Sequence, residues 1–158
     1  GDLRAARESL ARVEKLVADP ALARVRIKNI NVAEKLGRIA ALTLSADIAL
    51  AERKPDDAVA LLTEATAIED SLTYDEPHLW LGPTRHALGD ALLAASRPRD
   101  AERVFREDLA HYPGNGWSLT GLAVALKKQG RQEAARETER SARAAFAGAE
   151  ALPRGARF

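Results

Sequence analysis

Three histidines are the side chains of this sequence best suited to acid–base or metal chemistry. His78 and His86 lie eight residues apart, and His111 stands alone further along the chain. Asp75-Glu76, just before His78, could add carboxylates to a metal site or form an acid–base pair. No two histidines have the four-residue spacing that places two zinc ligands on one helix face. We therefore expect no metal, no cofactor and ordinary hydrogen-bonded or solvated histidines.

Other chemical motifs are missing from the sequence. It contains no cysteine, which excludes disulfides, thiolate metal sites and thiol nucleophiles. No GxSxG, HExxH, Walker or dinucleotide-binding pattern occurs. The run Gly114-Asn115-Gly116 is too short to cradle a phosphate. The sequence therefore predicts a protein that is not an enzyme.

Charge is balanced along the chain. Lys and Arg number 24 and Asp and Glu number 23, giving a net charge of +1. Nucleic-acid-binding domains carry a clustered basic excess, and this sequence has none. No apolar run reaches the roughly 18 residues of a membrane span. We expect neither a nucleic-acid nor a membrane partner; these features leave the compartment unknown, with the cytoplasm favoured.

Composition indicates an all-α protein. The chain has 33 Ala and 21 Leu in 158 residues, and only 4% aromatic residues. Ala and Leu lead the helix propensity scale, whereas residues that favour strands are sparse. Apolar spacing predicts about seven helices, at 2–18, 31–53, 56–71, 83–95, 98–111, 117–129 and 131–147.

Two local features refine this division. Asn31 and Glu34 have capping-box spacing, which predicts that Asn31 opens the second helix. In residues 20–30, apolar and basic residues alternate as in an edge strand. A lone strand has no partner, so we expect an ordered loop or a distorted turn of helix there.

The sequence repeats itself with a period of 34 residues. The matching pairs are Gly82/Gly116, Leu88/Leu122, Ala91/Ala125, Leu92/Leu126, Arg97/Arg131, Ala101/Ala135 and Arg106/Arg140. A two-helix unit of 34 residues is typical of tetratricopeptide repeats, and the chain resembles that family over about 39–147. The middle unit carries the signature best, with Leu88-Gly89, Leu92, Ala101, Phe105 and Pro113. The last unit has Glu139 where the aromatic residue is expected.

The resemblance implies antiparallel helix hairpins stacked into a right-handed superhelix within one domain, 1–158. We expect an N-terminal helix and loop over 1–31, a degenerate repeat over 32–72, repeats over 82–115 and 116–149, and a tail over 150–158. Small residues should let paired helices approach closely, at Gly89, Ala101, Ala123 and Ala135. The chain is also similar to the C-terminal region of bacterial repeat proteins without an established role, which implies further repeats upstream of Gly1.

In this family the first helix of each pair lines a concave groove that holds peptides. The resemblance implies a candidate groove formed by Thr43, Asp47, His86, Asp90, Trp117, Thr120 and Lys127. The family's carboxylate clamp of Lys, Asn and Arg is absent, because its places hold Thr43, Leu44, Asp47, Pro83 and Ala87. Asp47 and Asp90 favour a basic or amine-bearing segment instead.

The expected function is a non-catalytic scaffold that binds a peptide or a partner protein in this groove. One alternative is an accessory domain of a larger enzyme or metal-dependent protein whose active region lies upstream. A second is self-association, in which the tail or the 74–80 loop docks into a neighbouring groove. Apolar residues of the first helix also predict a weak homodimer through 2–30, unless the 20–30 loop folds over them.

Overall fold

The computed structural model describes residues 2–74, 80, 82–148, 153, 155 and 156. Asp75, Glu76 and His78 therefore lie outside the described residues. Seven α-helices occur within the described part: α1 (Leu3–Val17), α2 (Ala33–Ala51), α3 (Pro55–Asp70), α4 (Thr84–Ala94), α5 (Pro98–His111), α6 (Gly116–Lys128) and α7 (Gln132–Ala145). The all-α prediction is confirmed, and in the described part no helix is long and apolar enough to cross a bilayer.

Proline, glycine and asparagine place several helix ends. Pro55 and Pro98 are the first residues of α3 and α5, where a fixed φ suits the helix and the missing N–H costs nothing. Gly130 has a φ of +77° and turns the chain from α6 into α7. Asn115 caps α6, because its side-chain oxygen accepts the N–H groups of Trp117 and Ser118. These ends agree with the predicted boundaries to within two residues.

Residues 20–30 correct one sequence prediction. A short 3-10 turn at Leu22–Arg24 leads into strand β1 (Arg26–Ile27), which pairs antiparallel with β2 (Asn31–Val32). Lys28 and Asn29, with φ of 49° and 62°, adopt the left-handed conformation that closes this hairpin. The predicted distorted turn of helix is present at Leu22–Arg24, whereas the strand at Arg26–Ile27 was not predicted, because its partner lies in residues that were assigned to the second helix.

The predicted capping box is also wrong. The N-cap of α2 is Val32, which makes no side-chain hydrogen bond to the helix. Asn31 is instead buried, at 4% exposure. Its amide nitrogen donates to the carbonyl of Thr73 at 2.7 Å, and its amide oxygen accepts the Thr73 N–H at 2.8 Å. Asn31 thus joins the hairpin to the segment after α3.

Residues 1–84 form the first of two compact units. Here α2 packs against both α1 and α3. A Cβ at Gly37 on α2 would lie 2.8 Å from Val17 Cγ2 on α1. Because Gly37 has no side chain, α1 can approach α2 closely at this point. Fully buried apolar residues fill the core of this unit: Ile39, Ala46, Ala58, Leu62 and Ala65.

Three large aliphatic residues in the described part of this unit remain exposed. Leu16 is 63% exposed, Val25 49% and Ile30 38%. Leu22 does fold against α2, near Gly37. The weak homodimer through residues 2–30 stays a prediction, as do the repeat boundaries.

Residues 85–158 form the second unit, and the ring of Phe105 lies at its centre. Phe105 on α5 is fully buried. A Cβ at Gly89 on α4 would lie 2.2 Å from Phe105 Cζ, and a Cβ at Gly121 on α6 would lie 2.3 Å from the same atom. Two glycines therefore hold one ring between three helices. Sequence analysis found Gly89 but missed Gly121.

The other predicted small positions are buried as expected. Ala101 is fully buried, and Ala123 and Ala135 are no more than 3% exposed. The aromatic residue missing at Glu139 has a counterpart in Phe146, which follows α7. Its ring meets the Trp117 ring edge-on, with centroids 5.3 Å apart.

We predict that Gly89→Ala destabilises the protein by up to about 2 kcal/mol. Replacing Gly by Ala within a helix ordinarily gains about 1 kcal/mol, but here the new methyl collides with the Phe105 ring and overpacking costs about 1–3 kcal/mol. Urea unfolding of both proteins measures the difference.

The matched control is Gly82→Ala, because beyond its two chain neighbours no described residue has an atom within 4 Å of the added methyl. It should be neutral or up to about 1 kcal/mol stabilising. Adding Phe105→Leu to Gly89→Ala should cost less than the sum of the single changes, because the two sites touch. Additive costs, or a stabilising Gly89→Ala, would show that the contact is not tight.

Candidate functional site

Four polar side chains meet inside the second unit, and we call them the Asp108 cluster: His86 on α4, Asp108 on α5, Asn115 before α6 and Ser118 on α6. Asp108 is 1% exposed, Ser118 is fully buried and His86 is 7% exposed. The four residues belong to three helices and one turn, so their contacts fix these elements relative to one another.

Three described side chains contact the same carboxylate oxygen of Asp108. Ser118 Oγ donates to Asp108 Oδ2 at 2.5 Å, and Asn115 Nδ2 donates to the same oxygen at 3.3 Å. His86 Nε2 lies 3.2 Å from Asp108 Oδ2 and 3.3 Å from Asn115 Nδ2. A buried carboxylate is costly unless it is hydrogen-bonded, and these three neighbours meet that requirement.

The cluster contains Ser, His and Asp, the residue types of a hydrolase triad, but their order differs. A catalytic triad places the histidine between the other two residues, so that it takes the serine proton. Here Asp108 stands in the middle, and Ser118 donates to Asp108. Ser118 is also closed to solvent. The arrangement stabilises the fold and offers no exposed nucleophile.

Sequence analysis identified His86 but did not find Asp108 or Ser118. A signal was present for Asp108, which lies in the last turn of α5. A negative charge there opposes the helix dipole, so the position calls for a compensating partner. The partners themselves come from α4 and α6, and a pattern within α5 does not reveal them.

His86 is the predicted groove residue that the structure buries most deeply. Its side chain is 8% exposed and is engaged with Asp108. It is therefore part of the interior of the second unit. His111, the histidine outside any predicted site, is exposed at the end of α5.

The remaining candidates of the second unit are more accessible. Asp90 and Trp117 are half-buried, and Lys127 is exposed. Thr120 is half-buried, and its hydroxyl donates to the Gly116 carbonyl at 2.8 Å within α6. Because Gly89 and Gly121 press on the same Phe105 atom, α4 and α6 come together at the level of Asp90 and Thr120.

Asp90 also contacts a distant part of its own chain. The Ala156 N–H donates to Asp90 Oδ1 at 3.4 Å, across 66 residues of sequence. Ala156 is 1% exposed. A carboxylate on a predicted groove helix thus binds the backbone of a non-helical segment.

In the first unit, Thr43 and Asp47 lie one turn apart on α2. Both are half-buried. Thr43 Oγ1 is buried, and within the described part of the chain no hydrogen-bond partner faces it. A role of Thr43 and Asp47 in binding stays a prediction.

A second polar cluster surrounds Glu102 on α5. Gln129 Nε2 and Arg131 Nη1 each donate to the Glu102 carboxylate at 2.7 Å, and Arg106 Nη2 lies 2.8 Å from it. Burial of Glu102 opposes its ionisation, but the hydrogen bonds from Gln129 and Arg131 outweigh that effect and hold the pKa of Glu102 below its usual value.

An open cleft of about 570 Å³ lies beside this cluster, between the α4–α5 and α6–α7 turns. Arg97, Arg99 and Arg131 line it. Arg97 is paired with Asp100 at 2.9 Å and Arg131 with Glu102. Two of its three cations are therefore already neutralised.

Metal ligands do not converge in the described ranges. Within them, no group of three or more His, Asp or Glu side chains is placed to hold an ion. His78, which sequence analysis weighed as a possible ligand, lies outside these ranges.

Within the first unit α2 packs on α1 and α3, and within the second α6 packs on α5 and α7, with small residues at the contacts. This arrangement defines a helical-repeat protein. More specifically, the chain has an all-α, TPR-like repeat fold. Two crystal structures of a Podosopora anserina protein, described as a kinesin light chain with nearly identical TPR-like repeats, share it at 22% sequence identity. One match has a TM-score of 0.63 and covers 90% of this chain and 67% of the other. The second, also at 0.63, covers 92% and 69%.

These likenesses confirm the predicted repeat fold. The sequence matches no protein-family model and no curated protein.

We predict that Asp108→Ala lowers the free energy of unfolding by about 3 kcal/mol. The change leaves Ser118, Asn115 and His86 without their shared acceptor, and a buried polar group that loses its partner costs about 1–3 kcal/mol. Urea unfolding at pH 7 measures the loss.

Glu107→Ala is the matched control, since Glu107 is the exposed neighbour of Asp108 on the same helix. It should change stability by no more than about 0.5 kcal/mol. Equal small effects of both substitutions would mean that the Asp108 cluster does not hold the helices.

The Glu102 cluster predicts a pH dependence. A carboxyl with a lowered pKa in the folded state stabilises the protein fully above its unfolded value, near 4.5, and the contribution is lost as pH falls through the folded pKa. The stability difference between the parent and Glu102→Gln should therefore be largest near pH 7 and shrink below about pH 4.5. Urea unfolding across this range tests it, with the exposed Glu133→Gln as control; a difference independent of pH would contradict the assignment.

Proposed function

We propose that this chain is a non-catalytic protein-interaction module that binds an extended, basic segment of a partner protein. The binding surface is the face of α4 and α6 in the second unit, centred on Asp90. The observation that carries the proposal is the contact of the Asp90 carboxylate with the backbone N–H of Ala156. It is a peptide contact on a groove helix.

Three further features support this assignment. Trp117 is half-buried on α6, and Trp is among the residues enriched at binding hot spots. Lys127 is exposed on the same stripe of α6, at a spacing of ten residues from Trp117, and would lie at the rim. Solved structures with this fold contain TPR-like repeats, which typically mediate protein–protein interaction.

The chemistry of the interior supports a non-catalytic role. The constellation that most resembles a catalytic triad, the Asp108 cluster, is buried and has the wrong order of hydrogen bonds. The alternative of an accessory domain of a larger enzyme would need a catalytic segment from outside this chain and stays a prediction.

A peptide selection tests the proposal. The full chain is exposed to a library of ten-residue peptides of varied charge, and we expect the bound fraction to be enriched in Arg and Lys. Asp90→Ala should weaken the selected peptides about tenfold, since hydrogen bonds to charged groups contribute about 1.5–3 kcal/mol.

Glu133→Ala removes an exposed carboxylate of α7 in the same unit and should leave binding unchanged. Enrichment of acidic peptides, or equal binding by the Asp90→Ala and parent proteins, would rule out this surface.

A further inference from the structure

We infer that the tail segment, residues 153–156, is a built-in ligand of the Asp90 site and competes there with the partner. The inference rests on the proposed function and names the chemistry that the site recognises: a proline-led, basic segment with Gly and Ala at its contact positions. The partner's segment must share that chemistry and displace the tail.

The tail contacts Asp90 at two consecutive residues. Ala156 donates its N–H to Asp90 Oδ1 at 3.4 Å. A Cβ at Gly155 would lie 3.7 Å from Asp90 Oδ2 and 3.9 Å from Oδ1. Both carboxylate oxygens therefore face the tail backbone.

Burial shows that Ala156 is docked. Ala156 is 1% exposed, although it lies outside any helix and ten residues after Phe146. An undocked alanine of an extended chain would be largely exposed. Because almost no surface of Ala156 remains free, a larger side chain at this position would displace the segment.

The sequence of the segment complements the site in charge and stiffness. Arg154 and Arg157 flank the Gly155-Ala156 pair in the chain, and Asp90 supplies the opposite charge. Pro153 fixes φ at its position, which lowers the entropy lost when an extended segment docks. A ligand of this site therefore needs a small residue at the buried position, and the charge of Asp90 favours a ligand of basic sequence.

Covalent attachment makes the tail an effective competitor. A ligand joined to its site by a short stretch of chain has an effective concentration on the order of 1 mM. If the tail alone bound with a Kd of about 0.1 mM, it would fill the site in roughly ten of eleven molecules and weaken an outside competitor about tenfold. The tail thus prevents a weakly binding partner from occupying the Asp90 site.

The test uses the full chain and a fluorescent peptide with the sequence of residues 149–158. Ala156→Glu in the protein places a charged, larger side chain against Asp90 and should release the tail. We expect the peptide to bind this variant about tenfold more tightly than the parent. Asp90→Ala combined with Ala156→Glu should lose that gain, whereas Glu133→Ala combined with Ala156→Glu should keep it.

A direct readout follows the tail itself. Hydrogen exchange of the Ala156 N–H, measured by NMR, should be faster in Asp90→Ala than in the parent and in Glu133→Ala. The amide signals of α4 to α7 report whether each variant remains folded, and none of the changes alters a residue of the Phe105 or Asp108 contacts.

The outcomes separate this inference from the proposed function. If basic library peptides bind at Asp90 but Ala156→Glu does not strengthen binding of the 149–158 peptide, the tail is not a ligand and the proposed function stands. If that peptide binds the Ala156→Glu variant regardless of Asp90, the site is misassigned. If neither this peptide nor any basic peptide binds any variant, both proposals fail.

Discussion

The close contact of one aromatic ring with two glycines is the constraint on which the second unit depends. Phe105 on α5 has no room to retreat, because Gly89 and Gly121 press on it from two other helices. A hairpin of two helices cannot bury its own apolar face, so a third helix must cover the seam. The ring sets how near α4 and α6 come to each other. The surface that carries Asp90 and Thr120 follows from that approach.

Apolar packing sets the distance between the helices of the second unit, whereas the Asp108 cluster sets their relative orientation. Hydrophobic contacts tolerate sliding, but three groups that converge on one carboxylate oxygen accept only one arrangement of their helices. The cluster shows why residue types alone do not define an activity. Ser118, His86 and Asp108 could serve catalysis if their hydrogen bonds ran in another order. Here the order of the hydrogen bonds and the burial of the side chains give them a structural role.

Local signals allowed much of the fold to be predicted, and contacts distant in sequence account for what was missed. Pro98 and Gly130 mark helix ends by their own backbone chemistry, and the 34-residue period located Ala101 and Ala135 at helix contacts. The hairpin at 26–32 was missed because a strand is recognised through its partner. The spacing of Asn31 and Glu34 predicts a helix cap, whereas the side chain of Asn31 bonds to Thr73. That partner is 42 residues away, and a local pattern does not reveal it. The groove prediction placed His86 on an accessible surface because spacing gives the face of a helix but not the depth of its burial, and Asp90 was found without its tail contact.

The enclosed ring also constrains how such a sequence can evolve. A lineage that enlarges residue 89 or 121 while Phe105 is present loses stability, since the first added carbon already collides with the ring. It can shrink residue 105 first, at the cost of a cavity, and only then accept a side chain on either neighbour. The cost of a substitution at any of these three positions therefore depends on which of the other two has already changed. In descendants that have a smaller residue at position 105 and a side chain at position 89 or 121, a reversion to Phe105 would be destabilising, because the ring would collide with that side chain.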